Sequence, residues 1–165
     1  ATSYQIYRST AKDGDYQNIK TINSVGTSSW TDGSVKTGKT YYYKIKTVVK
    51  TQNGEQTSGF SNVKSAKAVP AKTTLKAKAS DAKNVKLTWS KVKGASGYEI
   101  YRSNSKDGKC SKVKTISKGS TTSYKNGKLK KSTTYYYKIR AYRKVNGKKV
   151  YGSYSSVVSV KTKAK

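Results

Sequence analysis

The stretch YYYKI at Tyr41–Ile45 returns unchanged at Tyr135–Ile139. The two copies are 94 residues apart, and at that offset residues 1–68 align with residues 95–162 without a gap and agree at 27 positions. A repeat of this length corresponds to a whole domain, because solenoid repeats span only about 20–50 residues. The sequence therefore predicts two related domains, joined close to Pro70, the only proline.

Apolar and polar residues alternate along both copies with the period of a β-strand. In Tyr41–Ile45 the first, third and fifth side chains share one face, and the dipeptides Asp13-Gly14 and Asn53-Gly54 are typical of tight turns. No stretch of ten or more residues has helical spacing. The second copy is predicted to contain seven short strands with turn signals about 8–12 residues apart, which is typical of a β-sandwich.

The copies differ on their N-terminal side. In the second copy 27 residues, Ala68–Gly94, precede the matched segment, whereas nothing precedes Ala1 in the first. Thr73–Ala79 and Val85–Trp89 in that extra segment are predicted strands. We therefore expect an incomplete domain at residues 1–69 and a complete domain at residues 70–165, and we expect the chain to be a piece of a longer protein.

The net charge of +29 is distributed unevenly. Residues 1–69 carry +6 and residues 70–165 carry +23. Such a charge attracts polyanions, including anionic cell-wall polymers, acidic polysaccharides, nucleic acids and anionic membranes. The alternative is that the lysines only keep the protein soluble, and the composition favours neither interpretation over the other.

The chain has few residues of the types that carry out catalysis. It has seven acidic residues, one cysteine and no histidine, so neither a nucleophile–base pair nor a zinc site of the usual kind is predicted. Asp13, Asp32 and Asp107 stand beside glycines in predicted turns, where they serve backbone geometry. Cys110 takes the place of Tyr16 in the repeat and is interpreted as a small apolar filler. We expect no enzymatic activity and no cofactor.

Three segments of the second copy resemble a known family. They are Val85–Trp89 with its alternating apolar residues, Gly97–Arg102, and Leu129–Ile139. Together they are similar to strand B, strand C and the E–F corner with strand F of fibronectin type III domains, of the kind found in tandem in bacterial secreted and surface proteins. The resemblance implies an all-β chain of two tandem sandwiches, with strands C to G in the first copy and a buried Trp89 in the second.

The resemblance also implies a tyrosine corner in each copy. Tyr135, and Tyr41 in the first copy, would each bond through the hydroxyl to upstream backbone. The family usually has proline where Thr37 and Lys131 stand and glycine where Ser132 stands, so less rigid corners are expected.

By the same resemblance, the first copy has no strands A and B. Their absence is expected to expose Ile6, Trp30 and Ile45 and to leave the domain unstable by itself. One hypothesis is that these strands come from elsewhere, either from residues lost to proteolysis or disorder or from a partner segment.

Two surfaces are candidate binding sites. The first is an aromatic and basic face that would stack on sugars and hold their anionic groups; the pattern favours the alternative that these are ordinary cross-strand pairs. The second is a polyanion-binding surface of lysines and arginines. The aromatic and basic face consists of Tyr7, Tyr42, Tyr101, Tyr136, Lys138, Arg140 and Tyr142; the polyanion-binding residues are Lys128, Lys130, Lys131, Arg143, Lys144, Lys148 and Lys149.

The sequence thus predicts a non-catalytic spacer or attachment module of a larger secreted or cell-surface bacterial protein, which binds anionic cell-wall polymer or polysaccharide. One alternative is an inert stalk that positions an upstream enzyme or adhesin domain, and another is a protein–protein adhesion module. No specific nucleic-acid binding and no transmembrane segment are expected. The expected location is extracellular, on the bacterial cell surface.

Overall fold

Strands and the loops between them make up the whole chain, and the computed structural model describes every residue from Ala1 to Lys165. Contacts divide the chain into two units, Ala1–Ala68 and Val69–Lys165, which are described separately below. No helix that could cross a membrane is present. The strands of unit 1 are β1 (Ser3–Ser9), β2 (Gln17–Ile22), β3 (Thr40–Thr51), β4 (Gly54–Thr57) and β5 (Lys64–Lys67).

All five strands of unit 1 form a single antiparallel sheet. The long strand β3 pairs with β1 along one edge, and its other edge pairs with β5 near Tyr41 and with β4 near Val49. Strand β2 pairs with the free edge of β1, and a bulge falls between Ile6 and Tyr7. Strand β3, which carries the repeated tyrosines, is therefore an inner strand of the sheet with partners on both edges.

Unit 2 contains two sheets. Its strands are β6 (Leu75–Ala79), β7 (Val85–Trp89), β8 (Gly97–Ser103), β9 (Ser111–Ile116), β10 (Ser123–Asn126), β11 (Thr134–Val145), β12 (Lys148–Tyr151) and β13 (Val158–Lys161). One sheet has the order β10-β7-β6, and the other has the order β12-β11-β8-β9 with β13 also paired to β11. The second sheet repeats the sheet of unit 1, down to a bulge between Ile100 and Tyr101.

The core of unit 2 lies between its two sheets. Val85, Leu87 and Trp89 on β7 point toward Ile100 and Ile139 of the facing sheet, and all five belong to one buried cluster. Full burial of each aliphatic side chain contributes about 1.5–3 kcal/mol. The expected all-β sandwich is confirmed here, because alternate residues of each strand enter a shared core.

The loop before each long strand is fixed by a tyrosine. The hydroxyl of Tyr135 accepts a hydrogen bond of 2.9 Å from the backbone N–H of Lys130, and the hydroxyl of Tyr41 accepts one of 3.0 Å from Lys36. Both bonds have the geometry that the resemblance implies for a tyrosine corner.

One face of the unit 1 sheet has no strand over it. Trp30 and Ile45 on this face are 37% and 41% exposed, in line with the expectation from the sequence. The same expectation for Ile6 is wrong, since Ile6 is only 8% exposed. Its strand β1 lies between β2 and β3, so Ile6 has a neighbouring strand on each side.

Candidate ligand-binding face

The outer face of the larger sheet in unit 2 is organised around a buried carboxylate, Glu99. Glu99 on β8 lies opposite Arg140 on β11 and is 1% exposed. Its Oε2 accepts hydrogen bonds from the Tyr101 hydroxyl at 2.8 Å and from Nη2 of Arg140 at 2.9 Å. Its Oε1 accepts bonds from Nζ of Lys149 at 2.9 Å and from the Tyr151 hydroxyl at 3.2 Å. Every strong acceptor direction of the carboxylate is therefore used within the protein.

These partners keep Glu99 ionised. Burial is the largest single influence and by itself raises the pKa, but the hydrogen bonds from Lys149, Arg140 and Tyr101 together outweigh it and lower the pKa to about 2. Lys112 adds a third cation, with its Nζ 3.6 Å from Oε1. One carboxylate thus contacts three cations, so the net charge of this cluster is positive.

Aromatic rings enclose the cations of this face. The Arg140 guanidinium lies 3.7 Å from the ring centroid of Tyr151 and 4.9 Å from that of Tyr154. The Lys138 ammonium lies 4.5 Å from the Tyr154 centroid, and the ring of Tyr154 meets Tyr101 edge-on at 5.2 Å. Such contacts contribute about 0.5–2 kcal/mol each. Two of the rings predicted to stack on sugars also contact the protein's own cations, since Arg140 lies 5.4 Å from the Tyr101 centroid and the Lys149 ammonium lies 4.4 Å from the Tyr142 centroid.

Unit 1 has a similar cluster of aromatic rings and cations, with a neutral glutamine in place of the central carboxylate. Gln5 takes the place of Glu99, and its Oε1 accepts a hydrogen bond of 2.9 Å from the Tyr7 hydroxyl. Phe60 takes the place of Tyr154, with Tyr7 edge-on to it at 5.0 Å. The ammonium groups of Lys44 and Lys46 lie 3.8 and 4.2 Å from the Phe60 centroid. Both units therefore have an outer face of aromatic rings and cations, but only the face of unit 2 contains a buried carboxylate, Glu99.

Two predicted members of the aromatic face, Tyr42 and Tyr136, are half-buried beside these clusters. A third, Tyr142, was expected to face solvent, and this prediction is wrong because it is only 1% exposed. Its ring fills the space over Gly97, where an added Cβ would lie 2.6 Å from the tyrosine oxygen, and it meets Tyr151 edge-on. Glycine at that position leaves the room that the end of the tyrosine ring occupies.

The predicted polyanion-binding residues fall at two places on unit 2. The first, here called the corner cluster, surrounds the loop before β11. Backbone hydrogen bonds join Leu129 N–H to the Lys83 carbonyl at 3.0 Å and Ser132 N–H to the Lys163 carbonyl at 3.1 Å. These bonds bring two further lysines to the predicted three. The corner cluster consists of Lys83, Lys128, Lys130, Lys131 and Lys163, which are all exposed.

The second place, here called the hairpin cluster, is the turn between β11 and β12. Arg143, Lys144 and Lys148 are exposed there and have no acidic partner. Lys149 differs, because its ammonium is bound to Glu99. The two clusters stand at opposite ends of β11, and a strand of 12 residues spans about 35–40 Å. Lys138 and Arg140 lie on the outer face between them.

Sequence reasoning did not identify Glu99, Tyr151 and Tyr154 as parts of the face. Strand alternation places Glu99 on the same side as Tyr101, so the sequence alone was enough to predict that this glutamate lies on the outer face. Tyr151 and Tyr154 follow the repeat only in part, since Thr57 and Phe60 stand at their places in unit 1. No group of acidic, histidine or cysteine side chains is arranged to hold a metal ion.

Comparison with known proteins supports the fold. The chain is similar to a crystal structure of chicken CNTN1 FN1–FN3 domains, with 20% identity and a TM-score of 0.50 over 98% of this chain and 56% of that one. It is also similar to a crystal structure of FN3tt, with 21% identity and a TM-score of 0.48 over 59% of this chain and 99% of that one. The chain thus spans about half the length of the first structure.

No protein-family model matches the sequence, and no curated protein matches it. The architecture is that of fibronectin type III domains, which agrees with the resemblance carried by Val85–Trp89 and the tyrosine corners. At this level of identity the similarity shows the fold alone.

Proposed function

We propose that this chain is a non-catalytic spacer and attachment module of a larger secreted or cell-surface bacterial protein, and that unit 2 binds an anionic cell-wall polymer or polysaccharide. The observation that carries the proposal is the contrast in unit 2 between exposed cations and the buried carboxylate of Glu99. Lys149 is the only residue of the corner and hairpin clusters that is paired with an acidic side chain, and that side chain, Glu99, is buried among cations.

The spacing of the two clusters favours a polymer over a small anion. The clusters are separated by the length of β11, and Lys138 and Arg140 on the outer face lie between them. A single phosphate or carboxylate contacts only one cluster, whereas a chain of repeated anionic groups contacts both. Linked weak contacts of this kind increase affinity through effective concentration.

Co-sedimentation with purified Gram-positive cell walls across a salt series tests the proposal. Binding should weaken steeply with salt and disappear on walls stripped of anionic polymer, because exposed charges are screened at about 10 Å in 0.1 M salt. Replacement of Lys128, Lys130 and Lys131 by glutamate should weaken binding at least about tenfold.

A matched control separates local from overall charge. Lys12, Lys39 and Lys64 are exposed lysines of unit 1, and their replacement by glutamate removes the same net charge. This control variant should keep most of the binding. Equal weakening in both variants would show attraction by net charge alone, and unchanged binding in both would support an inert stalk.

A further inference from the structure

A row of three lysines crosses the smaller sheet of unit 2. Lys86 on the central strand β7 lies directly opposite Lys125 of β10 on one side and Lys78 of β6 on the other. Because neighbouring strands lie about 4.8 Å apart, the three side chains leave the sheet side by side. All three are exposed, and Lys76, two residues before Lys78, is exposed on the same face. We call these four lysines the lysine ladder.

The lysine ladder is unfavourable for the fold itself, because like charges directly opposite each other destabilise a strand pair. None of its members forms an ion pair. Asp81 is the one acidic residue in the loop between β6 and β7, and its Oδ1 accepts bonds of 2.8 Å from the Lys83 N–H and the Asn84 side chain. The Lys83 N–H is the largest cause of its lowered pKa, and the charge of Lys125 contributes less. The charge of the ladder is therefore not balanced within the protein.

The larger sheet of the same unit places a carboxylate where the smaller sheet has a lysine. Glu99 on the inner strand β8 binds Arg140 of β11 and Lys112 of β9, so a negative charge lies between these cations. Lys86 also belongs to an inner strand, but it is itself a cation between two others. Solubility is served by charges of both signs spread over a surface, and it does not require like charges aligned across three strands.

The chemistry of the ladder indicates which anion it suits. A chain of successive anionic groups contacts several adjacent ammonium groups at once and releases their counterions, whereas a single small anion does not. The ladder contains no arginine, the residue that recognises planar carboxylates in a bidentate manner; lysine binds phosphate as a point charge. Thr88 and Ser123, opposite each other on the same face, add hydroxyl donors for phosphate oxygens.

The same face has no platform for nucleobases. Its outward positions are lysine, threonine and serine, and Tyr124 of β10 packs against the core instead. Proteins that bind single-stranded nucleic acids stack the bases on aromatic side chains. A polymer that carries phosphate groups without bases therefore fits the ladder better than a nucleic acid does.

We propose that the lysine ladder is a binding site for a linear polymer of phosphate or phosphodiester groups that lies across β6, β7 and β10. The ladder adjoins the corner cluster, because Lys83 lies in the turn between β6 and β7 and Lys128 follows β10 by two residues. The inference rests on the proposed function for the presence of an anionic polymer, and it adds the chemical class of that polymer and a further part of its path.

Linear inorganic polyphosphate serves as the probe, with the full, isotope-labelled chain. Titration should give saturable NMR shifts in the amides of β6, β7 and β10, and the affinity is measured from these amides. Inorganic monophosphate at the same total phosphate concentration should give no saturable shifts. Lys86→Gln should reduce the slope of log affinity against log salt concentration by about 1, because one phosphate contact is lost. Saturable binding of monophosphate with equal affinity would overturn the proposal.

Lys86→Glu separates binding from folding. A glutamate between Lys78 and Lys125 replaces two repulsions by attractions, so the urea midpoint of unit 2 should rise. Polyphosphate binding at the ladder should nevertheless weaken at least about tenfold. Lys118→Glu makes the same change of charge in the exposed loop between β9 and β10, and it should keep most of the binding. A lower urea midpoint for Lys86→Glu, or equal weakening in both variants, would overturn the proposal.

Failure of this inference can be distinguished from failure of the proposed function. Polyphosphate shifts at the corner cluster without shifts in β6, β7 and β10 would overturn the ladder site and leave attachment to cell walls intact. Shifts in those strands in a chain that does not sediment with cell walls would support the ladder site and overturn attachment to walls. Tighter binding at the ladder of a single-stranded oligonucleotide, or of an oligogalacturonate, than of polyphosphate of equal charge would overturn the assigned ligand class.

Discussion

Arg140 binds Glu99 through two nitrogens at once, with Nη2 at 2.9 Å and Nε at 3.3 Å from the same carboxylate oxygen. The two residues lie directly opposite each other on neighbouring strands, so the pair also fixes the register of β8 against β11. In unit 1 the equivalent residues are Gln5 and Lys46, which carry no opposite charges. The same sheet forms in unit 1 without this ion pair, which is present only in unit 2.

We expect Glu99→Gln to destabilise unit 2 by about 2–3 kcal/mol. The substitution copies Gln5 of unit 1 and keeps the shape of the side chain, but it leaves Arg140, Lys149 and Lys112 as neighbouring like charges. Part of the loss is offset because these cations regain contact with water. Urea unfolding, followed through the NMR amide signals of β8 and β11, measures the change.

The matched control is Glu55→Gln. Glu55 pairs with Lys50 at 3.2 Å, and both side chains are more than half exposed. Exposed pairs contribute about 0–1 kcal/mol, so this variant should be nearly unchanged. Comparable losses in the two variants would mean that the cluster around Glu99 has no special stabilising role.

Unit 2 should lose stability in acid through Glu99. The ordinary pKa of 4.5 falls to about 2 in the folded protein, against the opposing influence of burial, because Lys149, Arg140 and Tyr101 bind the ionised form. A lowered pKa gives stability that is complete above the unfolded value and is lost as the pH falls through the folded value. We expect about 3 kcal/mol to disappear between about pH 5 and pH 2.

The same experiment on Glu99→Gln supplies the comparison. Because glutamine does not titrate, the stability of this variant should be flatter over this pH range, and the two proteins should converge near pH 2. Urea midpoints at half-unit pH intervals, compared through β8 and β11 amides, show the difference. Parallel pH curves for the two proteins would refute the assignment of acid sensitivity to Glu99.

Unit 1 should have its own acid transition, centred on Asp32. Burial raises the pKa of Asp32, but hydrogen bonds from Ser34, Arg8 and Tyr43 lower it from 3.8 to about 2. In unit 2 the equivalent residue is Asn126, which is bonded to Tyr137 and Arg102. Asp32→Asn should therefore remove about 2 kcal/mol of pH-dependent stability from unit 1 and leave unit 2 unchanged, as amide signals of each unit can report.

The corner tyrosines should each contribute through one hydroxyl. Tyr135→Phe removes the acceptor of the Lys130 N–H and should cost about 1–2 kcal/mol, and Tyr41→Phe should have a similar effect in unit 1 through Lys36. Tyr136→Phe is the control, since its hydroxyl forms no hydrogen bond within the protein. Thermal unfolding of the three variants measures the differences, and equal values for Tyr135→Phe and Tyr136→Phe would contradict the role of the corner.

Sequence patterns predicted the all-β fold and the inward face of β7 because alternation is a local property. Val85, Leu87 and Trp89 follow one another at every second position, and such a pattern needs no knowledge of distant residues. The predicted exposure of Tyr142 failed for the opposite reason. Its burial depends on the space over Gly97, which lies 45 residues away in the chain and beside it in the sheet.

The cluster around Glu99 shows the same limit. Alternation places Glu99 and Arg140 on the outer face, but their contact depends on the register of β8 against β11. The contribution of Lys149 depends on the hairpin formed by β11 and β12. Lys83 and Lys163 of the corner cluster are distant in sequence from its other three lysines, and backbone hydrogen bonds from Leu129 and Ser132 bring them to the corner. The charge composition predicted an attraction to anions, but it did not predict where on the surface the cations are grouped.

The two corners also differ in one backbone position that can be tested in both directions. Ser132 has a φ of +51°, and Gly38, its equivalent in unit 1, has a φ of +91°. A left-handed conformation costs a residue with a Cβ about 1–2 kcal/mol, whereas glycine adopts it freely. Ser132→Gly should therefore stabilise unit 2 by up to about 1 kcal/mol, after the greater freedom of glycine in the unfolded chain is subtracted.

Gly38→Ser is the reciprocal substitution and should destabilise unit 1 by about 1 kcal/mol or more, because it brings a Cβ into a positive-φ position. Ser132→Ala is the control for the side chain: alanine keeps the Cβ and removes the hydroxyl, so its stability should stay near that of serine. Urea unfolding followed by amide signals of each unit measures all three variants. If Ser132→Ala stabilised unit 2 as much as Ser132→Gly, the strain would lie in the hydroxyl group and not in the backbone.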